Sequence, residues 1–248
     1  MDLPRHHTIR EGDKRIVNPF TEAKLATLGE AIRLRPGTTL LDLASGRGEM
    51  LCTWARDHGI TGTGVDVSTV AVAMARERAA ELGVAERVTF RHGDAGTFVA
   101  DHPVDVGACI GATWIGGGVT GTVDLLERSL RPGGMLLIGE PYWRMDPPDQ
   151  EAIEACHAQT KEDFRSLPDL IGLFQGHGWD LVEMVLADGD SWDRYVAAQW
   201  LTVRRWLDEN PDDELAPSFR AELTTDPVKH VRYRREYLGW GVFALLER

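Results

Sequence analysis

The sequence predicts an α/β protein whose seven-stranded, mostly parallel, Rossmann-like sheet is covered by helices on both faces. Short apolar segments alternate with amphipathic ones along most of the 248 residues, as in repeated strand–helix units. Acidic residues or glycines stand directly after several of the predicted strands. Because ligands of open parallel sheets bind at the carboxyl ends of the strands, these residues predict one shared site.

The predicted elements follow one another in a regular order. A helix over 19–34 begins with Thr21 as its N-cap, and the strand TTLLDLA follows the turn RPGT. The next helix, from about 49 to 58, precedes the strand GTGVDV; Ser68 begins and Gly83 ends the helix after it. A turn at RPGG precedes the fifth strand. The five later strands are predicted at RVTFRHGDA, VDVGACIGA, MLLIGE, DLVEMVLAD and WGVFALLER.

This pattern divides the chain into three parts. Residues 1–35 are predicted to form an N-terminal helical cover, and residues 36–189 together with 237–248 the sheet-bearing core. Between the sixth and seventh strands, the helical and aromatic-rich segment 190–236 interrupts the alternation. We therefore expect it to form a helical lid over the site.

The amino-acid composition and the net charge limit which classes of binding partner the chain is expected to have. The chain is 43% hydrophobic and 27% charged, as in ordinary globular proteins, and no run approaches the roughly 18–20 apolar residues that span a bilayer. The polar residues 1–15 lack a signal peptide's apolar segment, which predicts a cytoplasmic protein. The three cysteines form no C-x-x-C pair, so no metal is expected. A net charge of −12 disfavours nucleic acid and anionic membranes and favours a small-molecule partner; it leaves the oligomeric state open.

The stretch LLDLASGRGEM, residues 40–50, predicts a glycine loop between a strand and a helix. It is not a phosphate loop, because no lysine follows its glycines. It is also a poor dinucleotide fingerprint, since the third glycine position falls on Leu51. Asp42 would lie badly beside a pyrophosphate, so the loop favours a cofactor with an ammonium group and no phosphate.

This pattern resembles the first motif, roughly acid-x-Gly-x-Gly-x-Gly, of the class I S-adenosylmethionine (SAM)-dependent methyltransferases. The later acids and the RPGG turn match as well, so the resemblance covers nearly the whole chain. VNPFTEAK, GEMLCTWARDHGITGTG and IGEPYWR are similar to an uncharacterised bacterial branch of that superfamily, the YjhP-like proteins. The sequence departs at Ala44, where the family usually has a glycine, and we expect an ordinary backbone conformation there.

The resemblance implies SAM as cofactor, S-adenosylhomocysteine as product and a role for each strand-end residue. Gly46 and Gly48 are expected to let the backbone approach the methionine and ribose portions, while Asp42 holds the amino end. Asp66 is expected to accept from both ribose hydroxyls, and Asp94 from the adenine amino group. The other expected cofactor contacts are Ala44, Val67, Ala95, Cys109 and Gly111.

Methyl transfer is an in-line displacement, so the protein mainly has to align the acceptor and exclude water. A general base is needed only where the acceptor arrives protonated and weakly acidic. Tyr142 and Tyr195 are the candidate proton acceptors or donors. We expect Arg144 to anchor a substrate carboxylate. The predicted acceptor contacts are Trp114, Trp143, Arg144, Trp192 and Asp193.

Other features are interpreted as structural. Trp192, Val196, Gln199, Val203 and Trp206 recur at helical spacing, which is more typical of packing than of a pocket. We interpret His6, His7 and His230 as surface residues.

Three other functions remain open. An enclosed aromatic pocket is compatible with cleavage or cyclisation of SAM, which would release methylthioadenosine. A noncatalytic SAM-binding regulatory module would keep the same acids. An NAD-dependent oxidoreductase fits less well, because the third glycine is missing.

Overall fold

A computed structural model describes residues 4–248; residues 1–3 of the predicted N-terminal cover lie outside the described part. The sheet has seven strands in the order β3-β2-β1-β4-β5-β7-β6. β1 to β5 pair in parallel, while β7 runs antiparallel to both of its neighbours. The strand order reverses between β1 and β4, which predicts the ligand crevice there. The strands are β1 Thr39–Leu43, β2 Thr61–Asp66, β3 Val88–His92, β4 Val104–Ile110, β5 Leu130–Trp143, β6 Trp179–Leu186 and β7 Leu238–Glu247.

The helices lie mostly where capping residues and apolar faces predict them. The side chains of Thr21, Ser68 and Asp188 each accept a hydrogen bond from a first-turn N–H. The α-helices are α1 Arg5–Glu11, α2 Glu22–Ala31, α3 Glu49–His58, α4 Thr69–Glu81, α5 Val119–Glu127, α6 Gln150–Ala155, α7 Leu167–Gly176, α8 Gly189–Glu209, α9 Ala216–Lys229 and α10 Arg235–Tyr237, with a π-helical turn at His230–Arg234. No helix within residues 4–248 is both long and apolar enough to cross a bilayer.

The hydrophobic core lies on both faces of the sheet, as the alternation predicts. One cluster packs α2, α3 and α4 onto the sheet and contains the buried Trp54. The other packs α5 and α7 onto the opposite face and contains Leu126 and Phe174. Burying such a side chain contributes about 1.5–3 kcal/mol, so both faces hold the strand ends in place.

Two departures from the predicted elements affect the site. β5 begins at Leu130, so RPGG forms a bulged part of the strand, where the register shifts between Val104 and Val106 of β4. β5 also continues past Glu140 to Trp143. α1 lies within the predicted N-terminal cover, where no separate helix was predicted at these residues, and it packs against α8.

Candidate functional site

A cleft of about 590 Å³ opens at the carboxyl ends of β1, β2 and β4. The strand-end loops form its floor, and α1, α8 and the Val17–Pro19 segment contribute to its walls. Its volume lies within the range of small-molecule sites, about 300–1,000 Å³. The crevice is therefore at the reversal of strand order, where the fold predicts a ligand.

The β1–α3 turn reaches the cleft through left-handed backbone. Gly46 has φ +54° and lines the cleft, and a Cβ placed on it would find only Val17 within 4 Å, at 3.8 Å. Ala44 has φ +59°, so the expectation of ordinary backbone at this position was wrong. The turn keeps the geometry that glycine favours in the family, and the alanine bears the strain, about 1–2 kcal/mol.

We expect Ala44→Gly to stabilise the protein by about 0.5–1 kcal/mol, because relief of left-handed strain exceeds the added entropy of the unfolded chain. Ala100→Gly is the matched control, since Ala100 is half-buried in a loop without positive φ and is expected to lose stability. Urea unfolding measures both. A loss of stability in Ala44→Gly as large as in Ala100→Gly contradicts the expectation.

Gly48 packs against protein atoms at the start of α3. It has φ +72°, and a Cβ there would lie 2.5 Å from Cζ of Phe90 and 2.8 Å from Cβ of Ala75. It is not among the residues lining the cleft, unlike Gly46. The structure therefore gives Gly48 a packing role between α3, α4 and β3, and its approach to the cofactor stays a prediction.

Asp66 and Asp94 lie in the cleft wall at the ends of β2 and β3, as predicted. Asp66 accepts the N–H of Gly46 on Oδ2 at 2.7 Å and that of Ser68 on Oδ1 at 2.8 Å. Each carboxylate oxygen has a second lone pair, so both keep an acceptor position. Asp94 accepts the Gly96 N–H at 2.8 Å, and Val67 and Ala95 line the same wall.

Asp42 lies below the glycine turn, beside a narrow extension of about 70 Å³ that shares Ala44 and Gly46 with the cleft. The side chain is buried and its Oδ1 has no hydrogen-bond partner. Burial, and secondly the charge of Asp66, raise the pKa of Asp42 well above 3.8. Such a carboxylate fits a cationic ligand group, because an ammonium would supply the missing donor and charge.

Three predicted residues at the end of β5 do not reach the cleft, two of them on the strand and Arg144 directly after it. Tyr142 is buried on the α5–α7 face against Phe243, and Trp143 packs against Phe164 and donates to the carbonyl of Lys161. Arg144 is exposed and donates to the carbonyl of Arg235. β5 continues through Trp143, and side chains alternate along a strand, so the assignment of Tyr142 and Trp143 to a strand-end loop was wrong. Arg144 does follow the strand, but it lies outside the cleft lining.

Cys109 and Asp193 also lie outside the cleft lining. Cys109 is completely buried in β4, where burial raises the pKa of its thiol. Asp193 accepts from buried His230 at 2.8 Å and pairs with Arg235, so the interpretation of His230 as a surface residue was wrong. Gly111, by contrast, lines the cleft with φ +81°.

Two predicted residues on α8, Trp192 and Tyr195, do line the cleft. Trp192 is buried, and the hydroxyl of Tyr195 lies 3.1 Å from Oε1 of Glu11 and 3.0 Å from the carbonyl oxygen of Val17. Gln199 donates to the same Glu11 oxygen at 2.7 Å. α1 and α8 are thus joined by buried polar contacts at the wall of the cleft. Trp114 also lines it and is 67% exposed.

Several cleft residues were missed by sequence reasoning. α1 has seven residues and no side-chain cap, and its tertiary contacts with α8 and with Glu222 of α9 place its polar residues at the cleft. The apolar stripe of α8 is divided between the cleft and a small core with α9. The unpredicted lining residues include Arg10, Glu11, Arg47, His157, Gln199, Arg234 and Trp240. Within residues 4–248, no group of three His, Cys, Asp or Glu is placed to hold a metal ion.

Comparisons with known proteins agree with this geometry. Residues 34–209 match a family model described as "Methyltransferase domain". The chain is 59% identical to the uncharacterized protein YjhP of Escherichia coli over the full length of both. The crystal structure of a SAM-dependent methyltransferase from Geobacter sulfurreducens is 62% identical with a TM-score of 0.97, covering 100% of this chain and 99% of that one.

A second crystal structure, of a SAM-dependent methyltransferase from Thiobacillus denitrificans, is 58% identical with a TM-score of 0.98 and full coverage of both chains. Both crystallised proteins are in complex with S-adenosyl-L-homocysteine, the product predicted here. These matches confirm the resemblance, the fold class and the cofactor expected from the sequence. The chain belongs to the class I SAM-dependent methyltransferases, in the branch that contains YjhP.

Proposed function

We propose that this chain transfers the methyl group of SAM to a small-molecule acceptor bound in the same cleft. The observation that supports the proposal best is the set of three acids at the ends of β1, β2 and β3, two of them in the cleft wall. The chain supplies alignment and exclusion of water, and SAM supplies the methyl group and a neutral leaving group.

The proposed cofactor contacts follow the position of each acid. Asp42 holds the ammonium group, because its buried Oδ1 lacks a partner. Asp66 accepts from the ribose hydroxyls with the lone pairs that Gly46 and Ser68 leave free. Asp94 accepts from the adenine amino group beside Ala95. The two crystallised relatives are in complex with S-adenosyl-L-homocysteine, which supports an adenosyl ligand as the one to test against these assignments.

Tyr195 and Trp192 are proposed to face the acceptor. Burial, and secondly Glu11, raise the pKa of Tyr195, so its hydroxyl stays protonated at neutral pH. Its single proton is shared by Oε1 of Glu11 and the carbonyl oxygen of Val17, so Tyr195 is proposed to orient the acceptor by accepting a hydrogen bond on a remaining lone pair, with Glu11 fixing its position. Trp114 lies at the mouth of the cleft. Residues 1–35 and 190–236 are proposed to cover the site; the cytoplasmic location and the absence of a nucleic-acid partner stay predictions.

Calorimetric titration with SAM, S-adenosylhomocysteine and NAD, followed by a mass-spectrometric acceptor screen, tests the proposal. Micromolar binding of the two adenosyl ligands without NAD, and an acceptor product with S-adenosylhomocysteine, would support it. Release of methylthioadenosine would indicate SAM cleavage instead. Binding without turnover of any acceptor would favour a regulatory module.

We expect Asp66→Ala to weaken S-adenosylhomocysteine binding by about 1–3 kcal/mol, because charge-assisted hydrogen bonds to the ribose are lost. Asp101→Asn, at an exposed loop position outside the cleft, is the control and is expected to bind like the parent protein. Calorimetry at equal folded concentration measures both. Equal affinities would remove the ribose role from Asp66.

A further inference from the structure

A buried arginine lies in the cleft wall and serves no proposed cofactor contact. The segment HVRYR, His230–Arg234, forms the π-helical turn before α10, and this turn directs Arg234 inward, where it is 3% exposed. Its Nη2 donates to Oδ1 of Asp226 at 2.6 Å and its Nη1 to Nε2 of His157 at 3.0 Å. Its Nε is buried without a partner. A buried guanidinium with an unpaired N–H requires an explanation, and a bound ligand would be one.

His157 lies beside Arg234 and adds a second hydrogen-bonding side chain to the cleft wall. It has φ +63°, a conformation that a non-glycine residue keeps only where its surroundings impose it, and its exposed side chain lines the cleft. Since Nε2 accepts from Arg234, the ring proton of neutral His157 is on Nδ1. At neutral pH, the ring is therefore an uncharged donor.

Arg10 of α1 lines the same region. Its Nη2 pairs with Glu222 at 2.8 Å, and its Nε is also buried without a partner. The nearby acids are already engaged: Asp226 with Arg234, and Glu11 with Lys14, Tyr195 and Gln199. We call Arg10, His157 and Arg234 the donor cluster. The donor cluster has N–H donors without a protein partner, and each nearby acid named above is already paired.

The donor cluster lies among apolar side chains. Phe164, Leu238 and Trp240 line the cleft with it, and Trp192 and Val196 continue this lining on α8. Asp226 and Glu222 balance the two guanidinium charges, so the cluster offers donors with little excess positive charge. Such a site suits a singly charged carboxylate on an apolar body better than a doubly charged phosphate.

We infer that the methyl acceptor is a small carboxylic acid with an apolar or aromatic body, and that the donor cluster binds its carboxylate as an anchor. The inference rests on the proposed function, since it names the substrate class of the same cleft. It also replaces Arg144, which lies outside the cleft, as the expected carboxylate anchor.

Benzoate, its uncharged analogue benzamide and phenyl phosphate are the probes for this test. Each is titrated by calorimetry into the full chain saturated with S-adenosylhomocysteine. Benzoate is expected to bind about tenfold or more tightly than benzamide, because a carboxylate forms charge-assisted hydrogen bonds. Equal binding of the two, no binding of benzoate, or tighter binding of phenyl phosphate would overturn the inference.

Variants locate the binding. Arg234→Gln and Arg10→Gln are each expected to weaken benzoate by about tenfold and to leave benzamide unchanged. Arg232→Gln is the matched control, because Arg232 is exposed on the same π-helical turn and outside the cleft lining. Benzoate affinity that Arg10→Gln and Arg234→Gln leave unchanged would overturn the inference. If Arg234→Gln does not fold, the inference is tested by the benzoate affinity of Arg10→Gln and by the parent protein's preference for benzoate over benzamide.

The two proposals fail in different ways. S-adenosylhomocysteine affinity is measured for every variant and is expected to stay within about threefold of the parent, because the donor cluster makes no proposed cofactor contact. Loss of SAM binding or of all methyl transfer would refute the proposed function. Intact methyl transfer to amines or neutral alcohols alone, with benzoate unbound, would refute only the carboxylate inference.

Discussion

Replacement of Asp42 by asparagine is expected to stabilise the ligand-free protein and to weaken S-adenosylhomocysteine by about 1–3 kcal/mol. Both effects have one cause. Without a ligand, the buried carboxyl group has an unpartnered oxygen and lies near Asp66, so its charged form is disfavoured. With the ligand, the ammonium group needs that charge, which the neutral amide cannot provide.

The same variant is expected to change how the free energy of unfolding depends on pH. Because burial and Asp66 raise the pKa of Asp42 in the folded protein above 3.8, the folded state holds a proton that the unfolded state releases. Stability therefore falls as pH rises from about 4 through the folded pKa, and Asp42→Asn removes this fall. Denaturant unfolding of both proteins at several pH values is expected to show a stability difference that grows with pH.

Ligand affinity shifts in the opposite direction. The ammonium of S-adenosylhomocysteine favours ionised Asp42, so binding releases a proton and tightens as pH rises toward the folded pKa of Asp42. Calorimetry in buffers of different ionisation enthalpy measures this release. Asp101→Asn, the exposed control, is expected to show the parent's stability and proton release. An Asp42→Asn variant that binds as tightly as the parent would refute the ammonium role.

The strand-end acids were predictable because they depend on local patterns. An apolar strand, a turn and a capped helix can each be identified in about ten residues, and parallel strands bring their carboxyl ends together. The positions of Asp42, Asp66 and Asp94 follow from these facts alone. Ala44 shows the limit, since its left-handed backbone is imposed by the turn against the residue's own preference.

The acceptor side depends on tertiary contacts that no local pattern shows. Tyr142 was assigned to the cleft because the end of β5 was placed before it; a strand that continues to Trp143 turns it to the opposite face. Arg234 lies in the predicted lid segment without a pattern that marks it as buried, and a π-helical turn directs it inward. Glu11 is buried only because α1 packs against α8.

Gly48→Ala is expected to destabilise the protein by about 2–5 kcal/mol, because left-handed strain of about 1–2 kcal/mol adds to an overpacking cost of about 1–3 kcal/mol. The added methyl group would lie 2.5 Å from Cζ of Phe90 and 2.8 Å from Cβ of Ala75. Gly37→Ala is the matched control: Gly37 has φ +86° and nothing within 4 Å of a Cβ, so it reports the strain alone.

Two further expectations follow from the packing role of Gly48. Phe90→Leu removes the atoms that the new methyl group meets, so the double variant Gly48→Ala/Phe90→Leu is expected to lose less stability than the sum of its single changes. S-adenosylhomocysteine affinity per folded molecule is expected to change by less than about threefold in Gly48→Ala. A large loss of affinity in Gly48→Ala, with stability no lower than in Gly37→Ala, would show that Gly48 contacts the cofactor. The opposite result would leave Gly46 as the glycine of this turn that admits the cofactor, and Gly48 as the one that lets α3 pack against β3.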